Sequence, residues 1–143
     1  MTPSDFDFWL GTWRGSWPAS PGTPPGSAVN TITGALGGAV IHEHFVADGD
    51  AAFEGLSMSV YGAAEDVWNQ TWVDNAGGYL DFVGGRSSDE AEFHRSQPTA
   101  DVTLHQRMVF SDIEADSFEW RWQRSSDGAT WETVWPISYT RLA

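Results

Sequence analysis

The chain has 143 residues, no cysteine, and twenty acidic against seven basic residues, for a formal net charge of −13. That length is one domain, residues 1–143, able to bury about two-thirds of its unfolded surface without staples. Missing cysteine excludes disulfides, a thiolate nucleophile and Cys-based metal sites, and the acidic balance repels phosphate backbones and anionic membranes. Nucleic acid and membranes are therefore not expected partners. A hydrophobic content of 41% with nine tryptophans points to a packed fold rather than an acidic disordered chain. No basic and apolar leader opens the chain, and no apolar run approaches the roughly 18 residues of a membrane span. The expected location is cytoplasmic.

The opening Asp5-Phe-Asp-Phe-Trp-Leu-Gly-Thr-Trp-Arg-Gly-Ser-Trp17 concentrates five large aromatics. Residues 5–10 read as a short turn or 3₁₀ segment before a first strand. Strand alternation then puts Trp13, Gly15 and Trp17 on one face, where such rings can plug the end of a barrel. Residues 18–26 hold four prolines and two glycines, which excludes helix and strand ladder alike. This loop is read either as a lid over a barrel mouth or, more plainly, as surface.

Strands are predicted at 27–35, 39–47, 52–61, 67–74, 79–84, 90–96, 102–110, 117–124 and 131–141. Leu36-Gly-Gly forms a tight hairpin, and turn residues such as Asp48-Gly-Asp50 and Gly77-Gly78 separate the others. About ten short strands with turns every eight to twelve residues and no 3.6-residue period predict an all-β, antiparallel up-and-down barrel, whose closure removes exposed edges. Several strands carry apolar residues on both faces, so parity alone leaves open which face points inward.

Candidate chemistry centres on Ile41-His-Glu-His-Phe45. His42 and His44 share one strand face, while Glu43 shares the other with Ile41 and Phe45. Two imidazoles about 6–7 Å apart can chelate a metal, with His94 or His105 as a third ligand; two solvent-facing histidines are the plainer account, and no metal is expected. An inward Glu43 would have a raised pKa and act as acid or base, or orient a ligand. It would equally serve as half of an ion pair with Arg107 or Arg14. Ser57 and Ser59 put hydroxyls on one face of their strand, without the surroundings of a nucleophile elbow. Trp72, Trp120 and Trp122 supply stacking surface, with Gln70, Arg107 and Tyr139 as further lining candidates. Ser125-Ser-Asp-Gly-Ala-Thr-Trp131 is similar to the Asp-box hairpin of propellers, a turn device here present once.

Gly11-x-Trp13 after an aromatic turn resembles the opening of lipocalin-type (calycin) barrels. Together with Glu43-His-Phe45, Phe53-x-Gly-x-Ser57, Gln70-Thr-Trp-Val-Asp74 and Trp122-Gln-Arg-Ser-Ser-Asp-Gly-Ala-Thr-Trp131, it resembles a bacterial family of calycin-like barrels without an established activity. That resemblance marks Glu43, Ser57, Gln70, Trp72, Arg107 and Trp122 as pocket positions. Gly-Thr-Trp-Arg-Gly15 is also similar to the start of nitrobindins, which bind haem through a histidine near the C-terminus; 131–141 contains none, so His94 or His105 would have to replace it. The leading expectation is a barrel that binds a small, largely apolar or aromatic molecule in an aromatic-lined cavity, without a cofactor. The alternative is a cofactor-independent isomerase, cyclase or dehydratase in which Glu43 or His44 moves a proton; a haem or metal carrier is a third. Pairing of two copies through an outer face is compatible with either of the first two.

Overall fold

The computed structural model, which describes residues 1–49 and 52–143, is a closed ten-stranded antiparallel barrel. A 3₁₀ turn, Asp7–Trp9, precedes β1 (Gly11–Trp17). The other strands are β2 (Gly26–Ala35), β3 (Val40–Ala47), β4 (Glu54–Gly62), β5 (Val67–Asp74), β6 (Tyr79–Ser87), β7 (Glu90–Pro98), β8 (Thr103–Ser111), β9 (Ser117–Ser125) and β10 (Glu132–Arg141). Each strand pairs with its sequence neighbours, and β1 pairs with β10 to close the ring. The fold is the one the turn spacing predicts. No helix among the described residues is long and apolar enough to cross a membrane.

Local differences from the sequence expectation have local causes. Leu36-Gly-Gly does join β2 to β3, but as a short 3₁₀ turn with positive φ at all three residues, a geometry that two glycines make accessible. The predicted fourth strand begins at Glu54 rather than residue 52, and the Asp50 of the predicted 48–50 turn lies outside the described residues. β6 runs on through Gly84-Gly85 to Ser87, because Gly84 lets the β7 backbone come close. A Cβ there would sit 1.8 Å from the carbonyl oxygen of Glu92. Pro136 stands within β10, next to an irregularity between Thr133 and Trp135 that accommodates its missing donor.

The two ends of the barrel differ. At one end the N-terminal segment folds across the opening and inserts Phe6 and Trp9 among Trp13, Phe93, Phe110 and Phe118, all at most 2% exposed. Phe6 stacks on Phe93 at 4.8 Å between ring centroids and meets Trp68 and Phe110 edge-on. Such contacts add to the area buried. The polar handles are satisfied too: the Trp13 indole donates to the Trp9 carbonyl (2.8 Å), and that of Trp68 to the Thr2 carbonyl (3.0 Å). Arg141 donates to the Leu10 carbonyl and lies 4.2 Å over the Trp13 ring, tying the last strand to the plug.

At the other end, where β1 finishes and β10 begins, the interior is not filled. The 18–25 loop leaves β1 on this rim, carrying a small turn between Ser20 and Thr23. The wall also splays here. Tyr79–Phe82 of β6 pair with β5 but not with β7, which meets β6 only from Val83 onward.

Candidate functional site

The unfilled interior is a cavity of about 200 Å³. Trp9, the inner surface of the plug, forms part of its floor, and Phe45, Phe53, Trp72, Trp120, Trp122 and Trp135 surround it. Parity explains the ring of aromatics. The pairs Ser57↔Trp72, Met108↔Trp122 and Ile137↔Trp120 put these rings on the same face as the buried core residues of their neighbours. Small residues make room for them. The Trp72 ring lies across Gly55, where a Cβ would come within 2.2 Å of it. These tryptophans are half-buried, whereas those of the plug are not. Trp135 meets Trp17, Phe45, Phe53 and Trp120 edge-on, and among the described residues its buried indole nitrogen has no hydrogen-bond acceptor.

A polar layer lies beside the floor. Glu43, on β3, is 9% exposed and lines the cavity with Tyr139 of β10. The Ser57 hydroxyl donates to Glu43 Oε1 (2.7 Å), and Asn30 Nδ2 donates to Glu43 Oε2 (2.8 Å) and, at 3.4 Å, to the Tyr139 hydroxyl oxygen. Burial pushes the Glu43 carboxyl above its usual range, and the two donated hydrogen bonds oppose that shift without cancelling it. The Tyr139 phenol is held well above its ordinary value by burial and by the neighbouring carboxylate. Among the described residues no acceptor takes its hydroxyl proton. Next to this group, Gln70 donates to the Ser59 hydroxyl (3.0 Å), and among the described residues its own carbonyl oxygen has no partner, nor has that of Asn30. At the rim, Asp74 accepts from the Trp72 indole (2.9 Å) and from the backbone N–H groups of Ala76 and Gly78, so it fixes both a cavity ring and the turn above it. These donors, the Trp72 indole first, hold its carboxyl below the usual range.

The structure therefore gathers Glu43, Trp72, Trp120, Trp122 and Tyr139 in the cavity wall, with Ser57 bonded to Glu43 directly behind it. Gln70 is buried opposite Phe82 on the neighbouring strand and does not border the cavity, whereas the Phe82 ring does and meets Trp122 edge-on. Two sequence candidates are placed elsewhere. Arg107 has the opposite parity to Met108 and lies on the outer wall, where it donates to Gln123 and lies 3.9 Å over the Trp131 ring. His44 is exposed on the outer wall and pairs with Glu54. Neither borders the cavity, because each follows an inward residue along its strand. The ion pair foreseen for Glu43 is likewise replaced: Arg14 bonds Asp48, Arg107 reaches Glu92, and Glu43 has only neutral partners.

His94 and His105 also lie on outer faces, His105 bonded to Ser96, so no histidine borders the cavity to serve as an axial haem ligand. Among the described residues no three histidine or carboxylate side chains converge as a metal site. The Ser125–Trp131 turn works as a structural device. Asp127 accepts from the backbone N–H groups of Ala129 and Thr130 and from Ser125, which lowers its pKa to about 2.

Sequence reasoning passed over Asn30, Phe45, Phe53, Asp74, Phe82 and Trp135. For Asp74 a signal was present, since an Asp four residues before Gly78 is a turn-capping pattern. For Asn30 there was none, because β2 carries polar residues at both parities. No family model matches the chain, and no curated protein matches it.

Proposed function

We propose that the barrel binds a small, largely apolar or aromatic molecule, and that the open end is its binding site. The observation that carries this reading is the cavity itself: unfilled space walled by half-buried aromatic rings, with Glu43 and Tyr139 converging on its floor. Ligand sites combine an apolar lining with a few placed polar groups in this way. A volume of about 200 Å³ exceeds the roughly 150 Å³ that accommodates benzene and falls below the roughly 300 Å³ of drug-sized pockets, so the ligand is about one or two rings in size. The ring stacks on tryptophan while Glu43 and Tyr139 fix its polar end. The fold resemblance adds an associational argument: calycin-like barrels hold small molecules, and we place this chain with those of bacterial, cytoplasmic type.

Titration with toluene, indole and naphthalene tests this reading. Saturable quenching of tryptophan fluorescence with a rise in Tm is expected; no saturable change with any of them would overturn it.

One observation favours a second reading. Glu43 is a buried carboxyl without a cationic partner, beside a cavity, as a general acid or base needs to be. In that reading the occupant is the substrate of an isomerase, cyclase or dehydratase, and Glu43 moves the proton. Unchanged turnover of an identified substrate by Glu43→Gln would exclude it. For association of two copies, the outer wall of β4 to β6 offers exposed Leu56, Met58, Val60, Val73 and Val83, and sedimentation velocity reads whether they pair.

A further inference from the structure

We propose that the occupant of this cavity is an organic cation, a small ammonium-bearing molecule held by aromatic faces between Glu43 and Asp74. The inference rests on the reading of the cavity as a binding site and names the charge of what it binds.

Three observations converge on it. First, two carboxyl groups border one cavity, Glu43 at the floor and Asp74 at the rim, and neither is paired with an arginine or histidine among the described residues. All seven basic residues are arginines and none lines the cavity. Arg95, which shares the inward parity of Phe93, donates to Gln106 and borders a separate depression on the outer wall over the β6–β7 gap. Glu43, the buried one of the two, has no arginine or histidine as countercharge among the described residues. Second, the walls are ring faces and edges: Phe45, Phe53, Trp72, Trp120, Trp122 and Trp135. Tryptophan is the best cation–π partner, and several rings around one desolvated site form the aromatic cage that recognises ammonium groups. The protein already uses such contacts elsewhere, where Arg107 and Arg141 lie over Trp131 and Trp13. Third, the two acids are held in place by uncharged donors alone. Glu43 receives hydrogen bonds from uncharged Ser57 and Asn30, and Asp74 from an indole and two backbone N–H groups. An anionic ligand would enter against both carboxylates and the net charge of −13. A bound cation, by contrast, offsets the burial cost of an ionised Glu43, so binding and ionisation of that residue reinforce one another.

The test compares two molecules of the same shape that differ only in charge: phenyltrimethylammonium, and tert-butylbenzene, in which carbon replaces nitrogen. Benzoate serves as the anion. Calorimetry or tryptophan quenching on the whole chain should give an affinity for the ammonium compound at least about tenfold above that for tert-butylbenzene, and no saturable binding of benzoate. Glu43→Gln should remove most of that preference by weakening binding of the ammonium compound. If Glu43→Gln does not fold, Asp74→Asn at the rim should lower the preference in the same direction. Equal or tighter binding of tert-butylbenzene by the wild-type protein would overturn the cation inference and leave the cavity reading standing. Failure of both compounds to bind would overturn both. A preference for the cation that survives in Glu43→Gln and in Asp74→Asn would assign it to the overall negative field and overturn the placement between these two residues.

Discussion

The two ends of the barrel are built from the same residue types and end in opposite states. At the plugged end Phe6 and Trp9 arrive from the N-terminal segment and fill the space between Trp13, Phe93, Phe110 and Phe118, and the indoles of Trp13 and Trp68 each find a backbone carbonyl. At the open end no described segment folds across the opening in the same way. Trp72, Trp120, Trp122 and Trp135 stay half-buried around a void of about 200 Å³, and the Trp135 indole has no acceptor among the described residues. The comparison shows that aromatic content alone does not make a core. A core needs rings from a second direction to interdigitate, and without them the same rings make a receptor surface.

Mutations separate the two states. Phe6→Ala removes a ring in contact with five others, and should cost about 3–5 kcal/mol in a urea or thermal melt. Trp122→Ala, on a ring already facing a void, should cost less than half of that but weaken binding of an aromatic probe at least about tenfold. If the two substitutions cost the same stability, the distinction between plug and cavity fails.

A smaller effect is expected at Glu43. Its folded pKa lies above the ordinary value of 4.5, so the folded state holds the proton more firmly than the unfolded state. Stability therefore declines as pH rises from 4.5 through the folded pKa, because the unfolded chain ionises first. The groups facing it are Asn30 from β2, Ser57 from β4 and Tyr139 from β10, of which only Tyr139 titrates, and only at alkaline pH. Glu43→Gln should flatten this decline in melts recorded between pH 4 and 8. An unchanged slope would mean that another group carries it. The smallest effect belongs to the outer wall: His44→Ala should alter neither probe affinity nor the position of the melt beyond error, since its ion pair with Glu54 is exposed. A loss of binding there would place the site on the wrong side of the wall.

Much of this was legible in the sequence, for physical reasons that also mark where legibility stops. Turn residues and period-two alternation delimit strands, so β5 is read at 67–74 with the bounds it has in the structure. The aromatic run at the start is dense enough to announce a plug. Parity separated the two faces of β9, Phe118, Trp120 and Trp122 against Glu119, Arg121 and Gln123, without saying which of them points inward. It failed on β8, where Val109 is buried on the outer face and Gln106 points inward, so neither parity looks like a core. Only the register against β9 decides that Met108 faces the cavity and Arg107 the outside. Asn30 was invisible for a related reason. Its role depends on lying opposite Phe45 and beside Glu43 across a strand pair, a relation between distant residues that no local pattern encodes.

The most direct test of the account is the ¹H–¹⁵N spectrum of the nine tryptophan indole groups, assigned by single substitution and recorded as toluene is added. The account predicts shifts concentrated on Trp72, Trp120, Trp122 and Trp135, with the indoles of Trp13 and Trp68 unmoved behind the plug. Shifts spread evenly over both ends, or none at any indole, would contradict it.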